Sequence, residues 1–223
     1  SMADNSGGES YLIEDPQQIP DAFGQELARA QSITWRNLSI ELDLPDDVTL
    51  RRAHRVRPAI ATASPSPDGR PRIELGHLET DRPPAALLEL VVPPRPEGTY
   101  RLAQVALRGQ PSGALIERTV HSQDILARYT ERPSQARLSN PELMSVVQAV
   151  SAYKLQSQAI EEAERGNVTL ATRRLRAAGE RLIEMGQDDL GQTMLVEADM
   201  LEQEGQMSAE GTKKLRYGTR KLS

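Results

Sequence analysis

"IPDAFGQELARAQSITWRNLSIELDL", residues 19–44, changes its period halfway along. In the first part Ile19, Phe23, Leu27 and Ala30 recur at helical spacing and make one apolar stripe. Pro20 suits a first helical turn, and Asp21 and Glu26 favour the positive N-terminal end of a helix. In the second part Ile33, Trp35, Leu38, Ile40 and Leu42 fall near a period of two, with an irregularity that reads as a bulge. The pattern predicts a helix to Gln31 that runs almost directly into a strand over Ile33–Leu42. Upstream, Tyr11, Leu12 and Ile13 follow a Gly7-Gly8 turn and read as one very short strand. One strand and one helix do not make a domain, so this opening has to pack on something.

Downstream, the strand signals continue to Pro133. "VTLRRAHRVRP", "RIELGHL", "AALLELVVP", "TYRLAQVALRG" and "ALIERTVHSQDILARYT" are separated by the turn signals "SPSPDGRP", "TDRPP", "PPRPEG" and "GQPSG". No helical period intervenes. Residues 32–133 therefore read as an all-β sandwich of about seven strands.

From residue 139 the pattern is helical. Asn140 caps a helix that Pro141 and Glu142 open, with Leu143, Val146, Val147, Val150, Tyr153 and Leu155 on one side and Gly166-Asn167 at its end. Leu170, Leu175, Ala178, Leu182 and Ile183 form the inward side of a second helix that stops at Gly186. A third stops at Gly205, and Ser208 caps a short fourth. Short glycine turns force antiparallel neighbours, so residues 139–223 read as a small antiparallel helical bundle with a basic tail. The run around Gly166-Asn167 resembles one tetratricopeptide hairpin, without a repeat of that motif.

Composition narrows the function classes. The 223 residues are 38% hydrophobic and 26% charged, with one Phe, one Trp and no Cys. The core must be aliphatic. Disulfides, thiol catalysis and cysteine-ligated zinc are excluded, and a cytoplasmic location is compatible with this. There is no apolar run long enough for a membrane span and no signal peptide. The opening Ser1-Met2 has the look of a cloning remnant. Charge is uneven: residues 1–50 carry a net -8, residues 51–138 a net +5 with every base an arginine, and residues 139–223 a net -2. An arginine-rich middle raises the question of a polyanion partner, although solvated strand faces are the preferred reading of these residues.

Candidate chemistry is sparse. His54, His77 and His121 lie at no metal-ligand spacing. The pairs Asp46-Asp47, Glu161-Glu162 and Asp188-Asp189 read as a turn, a solvated helix face and a helix N-terminus. There is no nucleophile elbow and no phosphate-cradling glycine loop. The reading is not an enzyme, with no catalytic, cofactor-binding or metal residue in this chain.

The order strand–helix, β-rich segment, helical bundle resembles the C-terminal half of bacterial von Willebrand factor A (vWA) domain proteins. "ADNSGGESYLIEDPQQIPDAFGQELARAQ", residues 3–31, resembles the last strand and last helix of a vWA domain, a remnant over residues 1–31. "IELGHL" and "YRLAQVALR" resemble the sandwich that follows, and "KKLRYGTRKL" at 213–222 the closing motif. As an analogy of order alone, inner coat subunits of secretory vesicles are similar. Such proteins carry an Asp-x-Ser-x-Ser metal-ion-dependent adhesion site near the start of the vWA domain, and this sequence has none. The resemblance therefore implies magnesium only at that absent site and no cofactor here.

The resemblance also implies a role: a non-enzymatic protein-interaction and scaffold region that relays events from the vWA site through its first helix, with Phe23 and Leu27 as coupling residues. Protein partners are expected, of identity the sequence does not name, with no membrane. A truncated chain is also open to a non-native dimer through the Phe23–Leu27 stripe. The tail offers Lys213, Lys214, Arg216, Tyr217, Thr219, Arg220 and Lys221 as a partner-binding set. In it Leu215 and Leu222 are read as anchors. The bases are read as facing solvent or the acidic third helix, which holds Asp188, Asp189, Glu197, Asp199, Glu202 and Glu204. Thr219, set among bases after Gly218, is read as a phosphorylation or docking point. A phospho-regulated platform and an arginine-based polyanion binder are the alternatives. A nucleic-acid arm is disfavoured by few bases and one interleaved aromatic.

Overall fold

The computed structural model describes residues 16–63, 72–80, 83–132, 136 and 140–221. The short strand expected at Tyr11–Ile13 and the turn "SPSPDGRP" lie outside the described residues. The chain divides between Ser139 and Asn140 into two compact units.

In the first unit a 3-10 turn, Pro16–Gln18, leads into helix α1, Ile19–Ser32. Strand β1, Ile33–Asp43, follows with no loop between. Six further strands follow among the described residues: β2 Thr49–Arg57, β3 Ala61–Thr62, β4 Arg72–Glu79, β5 Ala85–Val91, β6 Gly98–Pro111 and β7 Arg118–Tyr129. They form two antiparallel sheets, one in the order β4-β1-β6-β7 and one in the order β3-β2-β5. The two-residue β3 carried no sequence signal, because two residues show no period.

Leu38 and Leu42 of β1, Ala53 of β2, and Ile73 and Leu75 of β4 are buried in one cluster, joined by Leu88 of β5 and by Val105 and Leu107 of β6. Apolar side chains of both sheets thus share a core. Each fully buried Leu or Ile contributes about 1.5–3 kcal/mol to holding it. The expected bulge in β1 is present. The register against β4 and β6 shifts around Asn37, whose φ is 51°. Asn reaches this left-handed region at lower cost than a β-branched residue. Gly109 of β6 lies directly beneath Leu38: a Cβ there would stand 2.6 Å from Leu38 Cδ2.

The second unit is helical. Helix α2 is Pro141–Glu164, α3 Val168–Glu184, α4 Asp188–Glu204 and α5 Ala209–Gly218, ending in a 3-10 turn Thr219–Lys221. Asn140 Oδ1 accepts the N–H of Glu142 at 2.9 Å, the cap read from sequence. Gly166, Gly186 and Gly205, with φ of 75–80°, occupy the left-handed positions after α2, α3 and α4. The core comprises Ala152 and Ala159 of α2, Leu175, Ala178 and Leu182 of α3, Met194, Ala198 and Leu201 of α4, and Leu215 of α5.

One stripe differs from its sequence reading. Leu143 and Val147 are exposed, and the buried face of α2 is Ala149, Val150, Ala152, Gln156, Ala159 and Ile160. Helix α2 is seven residues longer than α3, about 10 Å of helix. Its burial begins only at Ala149. Small residues line the contact because close packing of helix backbones excludes large ones. Of the stripe read from sequence, Val150 is buried and Leu155 packs on the core, while Leu143 and Val147 near the start of the helix are exposed. The crossing of α3 and α4 shows the same closeness: a Cβ on Gly191 would stand 2.9 Å from the carbonyl oxygen of Gly179.

Candidate functional site

Two places gather the residues singled out by sequence: the junction of α1 with β1, and the C-terminal helix.

At the junction the helix ends by delivering its chain straight into the central sheet. The Ser32 carbonyl oxygen accepts from the backbone N–H of Thr80 at 3.3 Å and from its hydroxyl at 3.2 Å. The Thr34 hydroxyl donates to the Leu78 carbonyl at 3.2 Å. From the other side, the N–H of Ser112 donates to the Thr34 carbonyl at 2.9 Å and its hydroxyl to the Ile33 carbonyl at 2.7 Å. The last residue of α1 is therefore fastened to the end of β4, and the first residues of β1 to the β6–β7 connection. Its coupling residues are not fastened: Phe23 is 73% exposed and Leu27 64%. The stripe Ile19–Phe23–Leu27 is thus apolar, regular and uncovered among the described residues.

At the C-terminus, α5 is fixed by a chain of hydrogen bonds. Ser208 Oγ accepts the N–H of Gly211 at 2.8 Å and donates to Glu197 Oε1 at 2.6 Å, and the Ser208 N–H donates to Glu197 Oε2 at 2.8 Å. A Cβ on Gly211 would fall inside the Glu197 carboxylate. Glu197 is buried. Glycine at the third position of a helix was the sequence signal for this close approach, and periodicity passed over it.

The tail residues divide. Leu215 is fully buried, as an anchor. Lys213 and Lys214 are exposed and Tyr217 and Arg220 half-buried. Arg216 is paired with Glu164 of α2 at 2.7 Å, and not with the acidic third helix. The backbone of Lys221 closes the 3-10 turn, and Leu222 lies outside the described residues. The reading of Thr219 as a presented hydroxyl is overturned. It is wholly buried, its Oγ1 2.9 Å from Gln156 Oε1 and 3.0 Å from the Leu215 carbonyl oxygen. Gly218 does not release the chain but tightens it, with a Cβ position only 2.7 Å from Leu190 Cδ1. The turn thus tucks Thr219 inward.

Among the described residues, five arginines of the middle segment are paired with acids. Arg72 meets Glu41, Glu74 and Glu117; Arg108 meets Glu41; Arg51 meets Glu89; Arg101 meets Asp43 and Asp124. Arg95 holds both oxygens of Asp47 at 2.6–2.7 Å and lies 5.0 Å over the Tyr100 ring. These pairs take five of the segment's fourteen arginines out of the polyanion reading. Glu162 is similarly engaged: the Asn167 amide, donating at 2.7 Å, holds its carboxyl below the usual range, helped by Arg174 and Arg165.

Of the histidines, His121 is exposed, His77 half-buried and His54 buried. Burial, and then the neighbouring Arg52, push the His54 imidazole below its ordinary pKa, against an opposing pull from Glu89. No group of three or more His, Cys, Asp or Glu side chains among the described residues is placed to hold a metal. No helix among the described residues is long and apolar enough to cross a membrane.

With this geometry in view, the likenesses to known proteins are informative. Residues 141–223 match the family described as Sll0103-like, C-terminal alpha-helical domain. The whole fold matches a solved structure described as von Willebrand factor type A from Catenulispora acidiphila. That match is 17% identical with a TM-score of 0.73, over 96% of this chain and 52% of that one. A second match is the ArnB paralog VWA2 from Sulfolobus acidocaldarius, 13% identical with a TM-score of 0.50, over 100% of this chain and 51% of that one. The chain shares its fold with vWA proteins and spans about half the length of each. No curated protein matches it.

Proposed function

We propose that this chain is the C-terminal half of a vWA-type protein and acts as a non-enzymatic protein-interaction and scaffold region. In this reading residues 1–31 are the last strand and helix of the vWA domain, 32–133 a β-sandwich, and 139–223 a helical bundle with a basic tail. The observation that carries it is the fold match over 96% of this chain to a vWA protein of which the match covers 52%.

The α1–β1 junction supports a mechanism. A helix whose last carbonyl is held by Thr80 and which runs without a loop into a strand held by Ser112 cannot shift along its axis without drawing on β1, β4 and the β6–β7 connection. Such rigid, packed elements pass displacement on as a unit. The α1 stripe would face the remainder of the vWA domain, and movement there would be relayed into the sheets. The metal chemistry belongs to the adhesion motif this sequence lacks.

The test is hydrogen exchange on the longer protein with and without magnesium. Slower exchange across residues 20–42 on adding magnesium is expected. Identical exchange across that segment would end the relay reading.

A further inference from the structure

Strand β7 is the outer strand of its sheet: β6 pairs with one side, and no described residue pairs with the other. Edge strands commonly carry a device that blocks pairing, such as a proline, a bulge or an inward charge. Over His121–Tyr129 this edge has no proline, and its residues pair with β6 one after another with none skipped on the β7 side. It also exposes apolar side chains: Leu126 is 61% exposed and Ile125 41%.

The geometry points to self-association through this edge: two copies pair antiparallel, β7 against β7, about a two-fold axis at Leu126, and make one continuous eight-stranded sheet. Along a strand, the residues whose N–H and C=O point outward share one parity, so a two-fold strand pair must centre on a residue. Centring on Asp124 or Arg128 opposes like charges. Centring on Gln123 sets Arg118 against Arg128. Centring on Ile125 or Ala127 leaves both charges opposite neutral residues. Centring on Leu126 sets Asp124 opposite Arg128 twice, on either side of a Leu126–Leu126 contact. The remaining pairs out to His121 are Ile125 with Ala127, Gln123 with Tyr129, Ser122 with Thr130, and His121 with Glu131, none of them like-charged.

The charges are available for this. Arg128 is exposed and has no acidic partner among the described residues. Asp124 is half-exposed and has only long contacts, with Gln104 at 3.3 Å and Arg101 at 3.8 Å. Opposite charges facing each other across strands stabilise a pair and like charges destabilise it. A single strand pair buries little area, so the dimer is a weak one. The proposal is independent of the vWA reading.

The absence of cysteine makes the register testable. In Leu126→Cys the only two thiols of the dimer would face each other, with Cα atoms about 4.5–5.5 Å apart, a separation that a disulfide spans. Mild oxidation of the full chain should crosslink Leu126→Cys and leave a Leu115→Cys control monomeric. In sedimentation velocity, Asp124→Arg and Arg128→Asp should each weaken dimerisation about ten-fold, and the double exchange should restore it. Circular dichroism checks that each variant is folded. Three outcomes would overturn the proposal: a monomer at about 300 µM, well above the range of a weak dimer; a Leu126→Cys crosslink no faster than the control; or a dimer abolished by Phe23→Ser with Leu27→Ser and unmoved by Arg128→Asp.

Discussion

A single missing side chain fixes the last helix. Gly211 leaves the space that the Glu197 carboxylate fills, and Glu197 in turn receives both donors of Ser208. Gly211→Ala is expected to cost about 1–3 kcal/mol through overpacking, read from urea unfolding. Thr219→Val keeps the shape of the buried side chain and strands the Gln156 amide, for a loss of about 1–2 kcal/mol by the same measurement. Mass spectrometry of native protein is expected to find Thr219 unmodified, since its oxygen is enclosed. His54 gives a pH dependence whose sign is fixed by its lowered pKa. Above about 6.5 the imidazole is neutral in both folded and unfolded chains, and stability is unaffected. As pH falls below that value the unfolded chain binds the proton first, so stability declines until the folded pKa is reached. His54→Leu should flatten the unfolding midpoint between about pH 7 and 5. None of these three environments was legible from residue type. Thr219 among bases read as exposed, Glu197 was read only as one acid of an acidic helix, and His54 between arginines gave no sign of burial.

Elements were legible in proportion to their regularity. The switch of period at Ser32–Ile33, the Asn140 and Ser208 caps, and the glycine stops are local effects, and the structure reproduces each. The bulge was visible as a break in alternation, but its geometry was not. At a φ of 51°, Asn37→Val is expected to cost about 1–2 kcal/mol, while Asn37→Gly is expected to be neutral or better in the same unfolding assay. The face of α2 was legible only in part: Val150 and Leu155 were read as inward, but the alanines that its neighbours selected were not. The same demand for closeness governs α3 and α4. Gly191→Ala should cost about 1–3 kcal/mol, since its Cβ meets both Ile183 Cγ1 at 2.6 Å and the Gly179 carbonyl oxygen at 2.9 Å.

At the scale of the molecule, two compact units predict that damage stays local. Hydrogen exchange on Gly211→Ala is expected to speed across α2 to α5 and to stay unchanged across β1 to β7. Uniform acceleration would show the units to be one cooperative body. The sequence by itself determined the order of elements, the aliphatic character of both cores and the place where β structure yields to helix. These follow from periodicity, turn residues and composition, which act over a few neighbouring positions. Only the tertiary structure decided which strands share a sheet, which helix face is inward, that the arginines of the middle segment meet acids from distant strands, and that β7 is left at an edge. Those outcomes depend on contacts between residues far apart in the chain, such as Arg72 with Glu117, Glu197 with Ser208 and Gln156 with Thr219. Local pattern carries no record of such pairings, because each partner would read the same beside any other neighbour.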